Sequence, residues 1–437
     1  HPHSSSMPRD EAENVASIEA ADINVEVAVT IIGDAFADLL CYLDPSDSLP
    51  KPGGDARLVK PIMTVAGGSG LNTATHLSAL VRYFEALGCS GDGSDAAKNA
   101  LGDRENEKKR TIDAESSWKV ELQTVLNERD SHGQMLTEHA VKHGVRLINR
   151  LPPSSLAGTG HCAVMVSKGE RSFLTHRGCV EMFDASMIDQ DSIVESSLSS
   201  GFRERPDRCQ HRHIHIAGYY NIPGFFDGTL KKVICSVLDR RRRGNDGFTS
   251  TTTVSLVPQH DATEEWSGGI LDILSVVDFL ILSDLEAQSI FKRHRASDSC
   301  REGSLDHMAR FFHDVSPNTW VVVTLGPRGA AALINGRVLL SQAAPSFVHD
   351  PVDPTGAGDA FAAGFLYGVL QRCNHNLSKA LELEEGKRVG KLTEVVKEGL
   401  QWGTAVGTGC INQSGASVPS SKADIESLLE KVVGCRN

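Results

Sequence analysis

The run Asp353-Pro354-Thr355-Gly356-Ala357-Gly358-Asp359-Ala360-Phe361 sets a carboxylate where a small-residue turn meets an apolar stretch. Gly356, Ala357 and Gly358 carry little or no side chain, so their backbone N–H groups can approach an anion closely. Phe361, Phe365 and Val369 recur at helical spacing, which predicts a helix over 360–372 beginning near Asp359. The orphan N–H groups and the dipole of a helix N-terminus both favour phosphate. Asp359 repels phosphate, so its place makes sense if it accepts a proton from a hydroxyl that attacks phosphorus. The plainer reading is a helix cap behind a Gly-rich turn.

Other stretches carry residue types suited to the same chemistry. In Gly67-Gly68-Ser69-Gly70-Leu71-Asn72-Thr73 the glycines let backbone pass close to a polyhydroxyl ligand, and Asn72 offers both a donor and an acceptor. Gly33-Asp34-Ala35-Phe36-Ala37-Asp38 brings two carboxylates, each an acceptor-only group that suits a diol and each equally a turn or cap residue. Thr324-Leu325-Gly326-Pro327-Arg328-Gly329 follows an apolar strand. Ser283-Asp284-Leu285-Glu286 follows the run Phe279–Leu282 and also fits a helix capping box.

Taken together these residues resemble the ribokinase (PfkB) family of sugar and nucleoside kinases. Asp353 to Asp359 is similar to the family's Asp-x-Thr-Gly-Ala-Gly-Asp motif, and Gly67 to Asn72 resembles its Gly-Gly-x-x-x-Asn motif. The resemblance implies a ribokinase-like three-layer α/β/α sandwich with a mainly parallel central sheet and a small β lid. It implies transfer of the γ-phosphoryl group of ATP to a hydroxyl of a small carbohydrate. Asp359 would be the base, and the backbone of Gly356, Ala357 and Gly358 the anion hole. Asp38, Gly67, Gly68 and Asn72 would hold the sugar, with Asp34 competing with Asp38 for the carboxylate role. Thr324, Gly326, Gly329, Ser283, Glu286 and Thr355 would lie along the nucleotide, with Glu286 organising Mg²⁺ through water. Ser283 stands where the family's Asn-x-x-Glu motif has Asn, so the amide donor to phosphate is missing. Asn412-Gln413-Ser414-Gly415-Ala416 resembles the loop that, with the Asp353 backbone, borders a monovalent-cation (K⁺) site in several members. Two alternatives stay open. One is a nucleoside kinase of the same fold, with Phe36, Tyr219 and Tyr220 as candidates for a base-binding wall. The other is a catalytically weak regulatory relative.

The elements that must position these groups follow from periodicity. Apolar runs at Val25–Ile32, Val120–Leu126, Val145–Leu151, Ile214–Ala217, Val254–Val257, Phe279–Leu282, Val321–Leu325 and Ala331–Ile334 read as strands. Helices are predicted at 73–87, 136–143, 230–238, 265–277, 305–313, 360–372, 394–411 and 422–432, so strands alternate with helices and a parallel sheet follows. Arg240–Arg243 reads as a solvated basic helix end. Segments 38–65 and 159–178 look antiparallel and would form the lid, which in this family can also serve as a homodimer interface. The expected organisation is a loose tail over 1–24 and a kinase domain over 25–435, with an inserted surface loop over 89–116 and a charged loop over 201–212. His1 to Ser6, before Met7, reads as a remnant of cloning or processing.

Charge and cysteine content narrow the class. With 44 basic against 56 acidic residues the net charge is −12, which argues against a nucleic-acid binder that works by neutralising phosphates. The 10 cysteines include no C-x-x-C pair and read as reduced packing residues of a cytoplasmic protein, with organelle targeting left open. No apolar run reaches the roughly 18 residues that a membrane span needs.

Overall fold

The computed structural model describes residues 26–44, 53–85, 118–167, 170–195, 210–243, 250–295, 303–346, 352–372, 385–416, 418 and 421–435. The tail over 1–24, the insertion over 89–116 and most of the charged loop over 201–212 lie outside them. Strand β1 (Glu26–Gly33) is a β-branched run that ends where Gly33 lies against the carbonyl of Ala217. The chain then forms β2 (Phe36–Tyr42), β3 (Met63–Gly67) and helix α1 (Ser69–Phe84). Strand β4 (Trp118–Thr124), α2 (Ser131–Lys142) and β5 (Arg146–Asn149) come next. After them come β6 (His161–Ser167), β7 (Glu170–His176), the short α3 (Gln190–Glu195), β8 (Gln210–Ala217) and α4 (Thr229–Arg243). Strands β9 (Ser250–Val257) and β10 (Phe279–Ser283) precede α5 (Asp284–His294), α6 (Leu305–Val315) and β11 (Trp320–Thr324). The described elements close with β12 (Ala330–Ile334), β13 (Arg337–Gln342), α7 (Ala357–Arg372), α8 (Glu385–Cys410) and α9 (Lys422–Gly434).

Nine strands form one sheet in the order β13-β12-β11-β10-β9-β8-β1-β4-β5, parallel from β11 to β5, with β12 and β13 added antiparallel at one edge. Two apolar clusters cover its faces. One joins Val29, Ile31, Phe279, Ile281, Phe361 and Phe365 under α1, α7 and α8; the other joins Ile214, Ile216, Leu280, Leu282, Phe291 and Phe312 under α4, α5 and α6. A buried parallel sheet of this kind gathers ligands at the carboxyl ends of its strands, where connections leave in opposite directions. Here β1 lies between β4 and β8.

The second sheet has the order β3-β2-β6-β7. Its β2–β3 and β6–β7 pairs are antiparallel as expected, but β2 and β6 run parallel, so the lid is mixed. The two segments reach it by separate excursions from the main sheet, and a hairpin cannot join them.

Several predicted boundaries shift for visible reasons. Helix α1 begins at Ser69 rather than Thr73, because Gly68, at φ 90°, makes the sharp entry and Gly70 already packs on the backbone of Gly33 and Asp34. The helix predicted over 265–277 is reduced to single turns at Ile270–Ile273 and Leu274–Val276, since Glu264, Trp266, Gly268 and Gly269 all take positive φ. Helix α8 starts nine residues before the predicted 394, at Glu385. Strand β8 already begins at Gln210, inside the segment read as loop. The end of α4 is less solvated than expected: Arg241 donates to the Val194 carbonyl at 3.4 Å and is part-buried.

Candidate active site

Helix α7 opens at Ala357, and Gly356 precedes it at φ 74°, a left-handed turn that glycine adopts without strain. A side chain on Gly356 would strike Ala416, whereas a Cβ on Gly358 would meet no heavy atom within 4 Å. The Gly356–Gly358 turn is therefore backed on one side and open on the other. Behind it, Asp353 is fully buried and ties three segments together. It accepts from the backbone N–H of Thr355 at 2.9 Å, from the backbone N–H of Gly415 at 2.9 Å and from the Tyr42 hydroxyl at 3.1 Å. The Thr355 hydroxyl, beside the turn, is buried with no hydrogen-bond partner among the described residues.

Asp359 lies in the first turn of α7 and is almost fully buried. Its Oδ1 accepts from Ser69 Oγ at 2.8 Å and Gln259 Nε2 at 2.8 Å, and its Oδ2 accepts from Asn72 Nδ2 at 3.0 Å. Burial pushes the carboxyl up to about 7, opposed by the Asn72 and Ser69 bonds and assisted by the charges of Asp34 and Glu286. A carboxyl poised near neutrality suits proton transfer.

The two carboxylates after β1 have different partners. Asp34 is fully buried, accepts from the Gly70 N–H at 3.1 Å and from the Asn221 amide, and lies against Gly218. Burial raises it to about 6. Asp38, on β2, accepts no hydrogen bond among the described residues, and burial with the charges of Asp34, Asp359 and Asp353 raises it to about 7. Its carboxylate packs on Gly67, where any side chain would clash. Asp34 is thus committed to shaping the turn, and Asp38 is the carboxylate with its acceptor capacity unspent.

The strand ends of β10 and β11 are register partners at Ser283 and Thr324. Ser283 caps α5, and the reciprocal capping box is complete: the Ser283 N–H donates to Glu286 Oε2 at 2.7 Å, and the Glu286 N–H donates to Ser283 Oγ at 3.3 Å. Glu286 is held above the usual carboxylate range by burial. Gly326 (φ 58°) has open space over it, while Gly329 is wedged on the Gln342 carbonyl. Arg328 and Asp284 bridge the two turns at 3.0 Å on the surface.

Residues 129–422 match the family profile of the pfkB family carbohydrate kinases. The chain belongs to this family. A stretch of 58 residues, 13% of the chain, is 40% identical to a Pyrococcus horikoshii protein described as a sugar kinase, and the match spans 18% of that protein's length. Among solved structures, a ribokinase from Giardia lamblia superposes with a TM-score of 0.60 at 16% identity, covering 92% of this chain and 99% of that one. An adenosine kinase from Sinorhizobium meliloti gives 0.55 at 17% identity over 92% and 98% of the two chains. The Arabidopsis thaliana ribokinase complexed with ribose and ATP gives 0.53 at 19% identity over 93% and 99%. These likenesses establish the ribokinase-like fold, with a large, mostly parallel sheet and a small lid sheet. No helix among the described residues is long and apolar enough to cross a membrane.

The PfkB motif residues named from sequence gather at one end of the sheet. Asp359, Asn72, Asp34, Asp38, Gly67, Gly68, Asp353, Thr355 and Gly356 to Gly358 meet near the end of β1. Thr324, Gly326, Gly329, Ser283 and Glu286 lie at the ends of β10 and β11. Four residues escape the sequence reading: Ser69, Gln259, Asn221 and Tyr42. Ser69 stands at a variable place of the Gly-Gly-x-x-x-Asn pattern. Gln259, two residues past the end of β9, could have been suspected from that position alone.

Proposed function

We propose that this chain is an ATP-dependent kinase that phosphorylates a hydroxyl of a small carbohydrate. The observation that carries the reading is Asp359. It sits buried in the first turn of α7, behind the open Gly356–Gly358 backbone, and is hydrogen-bonded to Asn72 across 287 residues of sequence. In this reading Asp359 takes the proton of the acceptor hydroxyl as its oxygen attacks the γ-phosphorus. The N-terminal N–H groups and dipole of α7 stabilise charge on the phosphoryl oxygens. Asp38 accepts hydrogen bonds from acceptor hydroxyls, and the second hydrogen of the Asn72 amide is directed to the same ligand. The ATP complex of the Arabidopsis ribokinase and the ADP complex of the Cryptococcus neoformans ribokinase support ATP as donor. The open turn at Gly326 and the unpartnered Thr355 hydroxyl fit a nucleotide and its phosphates.

Mg²⁺, when bound with the nucleotide, would neutralise charge between the β- and γ-phosphates. A single half-buried carboxylate, Glu286, fits contact through water better than a direct cage. A monovalent cation beside the Asp353 backbone belongs to the same proposal, and ADP release in K⁺ against Na⁺ tests it. The exposed lid residues Val59, Ile62 and Leu174 support a lid-to-lid homodimer, which light scattering against concentration would reveal.

A sugar fits better than a nucleoside for a specific reason. Phe36, Tyr219 and Tyr220 are all buried in the body, where Tyr219 and Tyr220 pack against each other and against Phe226, and Tyr220 also against Trp266. The aromatic wall proposed for a base is spent on packing. A coupled ADP-release assay over pentoses, hexoses and nucleosides tests the reading, with Asp359→Asn as the control. Turnover on a sugar that vanishes in the variant supports it. Turnover confined to nucleosides, or none on any acceptor, would overturn it.

A further inference from the structure

Asp359 is bonded unevenly. Its Oδ1 takes two donors, Ser69 Oγ and Gln259 Nε2, and its Oδ2 takes one, Asn72 Nδ2. A carboxylate oxygen has two in-plane lone pairs, so Oδ1 is saturated and Oδ2 keeps one open. The three polar groups on the Oδ1 side are also ordered among themselves. Gln259 Nε2 donates to Ser69 Oγ at 3.0 Å, so the serine hydroxyl receives from the amide and passes its own hydrogen to Asp359. The reverse orientation of the amide would set its oxygen against the Asp359 carboxylate oxygen at 2.8 Å. Gln259 reaches this place from a left-handed backbone, φ 63°, immediately after Pro258 at the end of β9. A non-glycine residue adopts that conformation at a cost, and such outliers concentrate at functional sites. No sequence motif accounts for Gln259.

We propose that Gln259 and Ser69 are positioning residues that saturate Oδ1 of Asp359 and leave Oδ2, beside Asn72, as the oxygen that takes the acceptor's proton. The inference rests on the kinase reading. In the step itself the acceptor O–H bond breaks and its proton goes to Oδ2. The acceptor oxygen forms the new bond to the γ-phosphorus, and the bond from that phosphorus to the β–γ bridging oxygen breaks to release ADP. Gln259 and Ser69 touch neither substrate. They fix the rotation of the carboxylate and, by donating to its charged form, oppose the burial and the like charges that favour protonation. The titratable groups acting on Asp359 are Asp34 after β1, Asp38 on β2, Glu286 on α5 and Cys410 on α8. None of them supplies a positive charge, so the neutral donors carry this task.

The test compares the parent with Gln259→Leu and Gln259→Glu. Leucine removes the donor at similar size, and glutamate adds a like charge at the same place. Two quantities are read. One is the acidic limb of kcat/KM against pH. The other is the titration of the Asp359 carboxyl carbon by NMR in the ligand-free protein, assigned through its loss in Asp359→Asn. Losing a donor to the charged form raises a carboxyl pKa, so both midpoints are expected to rise by about one pH unit in the leucine variant and further in the glutamate variant. Turnover is expected to fall about tenfold in Gln259→Leu with KM for ATP unchanged, the split expected of a group that acts through the base. Ser69→Ala removes the other donor from Oδ1 and should move the carbon titration the same way, so a misfolded Gln259 variant leaves the proposal exposed to refutation. Equal carbon midpoints in parent and variants would overturn it. A parent with no turnover on any acceptor sinks the kinase reading alone, because the carbon titration decides this inference without catalysis.

Discussion

The main sheet and the lid carry the two halves of the site on very different foundations. Strand β10 is buried along Phe279, Leu280, Ile281 and Leu282, with apolar layers on both faces. Strand β6 alternates half-buried and buried residues, and among the described residues the lid's own buried core is Leu40, Tyr42, Cys162, Val164 and Val166. On its neighbour β7, Phe173 and Leu174 stay 54% and 65% exposed. Asp359 and the Gly356–Gly358 turn, the proposed base and anion hole, stand on the thick, two-sided part. Asp38, with its unspent acceptors, stands on the thin one. On the proposed function, chemistry that must not move is mounted where packing is dense, and recognition that must admit and release a ligand is mounted where it is sparse.

That contrast can be broken most decisively at Asp359. Asp359→Asn keeps size and polarity and removes the base, so turnover is expected to fall by about two to four powers of ten while ATP binding survives. Turnover within threefold of the parent would remove the mechanism. The next largest effect separates the two cores. Leu280→Ala should cost about 2–5 kcal/mol of global stability by denaturant melting. Val164→Ala should leave the global transition nearly in place and speed hydrogen exchange over 161–176. A shared loss of global stability would mean that lid and body unfold as one unit.

Asp38→Ala tests recognition. A charge-assisted hydrogen bond is worth about 1.5–3 kcal/mol, so the acceptor KM should rise about 10- to 100-fold with KM for ATP within twofold. Asp34→Ala should instead lower the melting temperature, because the Gly70 N–H and the Asn221 amide lose their partner in a fully buried place. An acceptor effect larger for Asp34 than for Asp38 would reverse the assignment.

The smallest expected effect concerns the body alone. His211, His213 and His215 lie buried on β8 in a chain of hydrogen bonds through Thr253 and Ser255. Burial lowers His211 to about 4 and His215 to about 3, and holds His213 well below its ordinary value. These groups stay neutral in the folded chain and gain protons on unfolding below about pH 6.5. Their contribution is therefore present above that pH and is lost as pH falls from about 6.5 toward 4. Between pH 7 and pH 6 the three together should cost roughly 2 kcal/mol. Asp34, Asp38 and Asp359, raised by burial to about 6 to 7, gain protons on folding and oppose this loss over the same interval. The histidine share is therefore checked by imidazole NMR. Rings of His211, His213 and His215 that titrate between pH 7 and pH 6 in the folded protein would show them to be charged or exposed.

What could be read without coordinates was governed by locality. The proposed anion hole and base are contiguous in sequence, so Asp359, Gly356 and Gly358 announce themselves by spacing. Most strands of the body are legible because they are buried on both faces and read as unbroken apolar runs. The lid was harder. Its parallel β2–β6 pair depends on two distant excursions meeting, and no local pattern encodes that. Asp34 and Asp38 could not be separated from residue type, since both are carboxylates after the same strand. Their difference lies in Gly70 and Asn221, which reach one and not the other. Gln259 had only its place just past the end of β9 to mark it, because a lone amide after a strand has no period and no partner in sequence. The helix lost over 265–277 fell to four left-handed residues, two of them, Glu264 and Trp266, of types that do not signal such a backbone.

The distances in sequence around Asp359 have a consequence for how the protein comes into being. Its three side-chain partners lie 290, 287 and 100 residues earlier in the chain, and Asp353 reaches back 311 residues to Tyr42. During synthesis Ser69 and Asn72 emerge first and Gln259 later, and none of them can meet Asp359 until α7 arrives. Contacts of such separation close a large loop and form late. A nascent chain therefore holds the proposed acceptor-binding residues without the proposed base until α7 emerges. On the proposed function, phosphoryl transfer becomes available only when α7 folds back against residues that precede it by 100 to 290 positions.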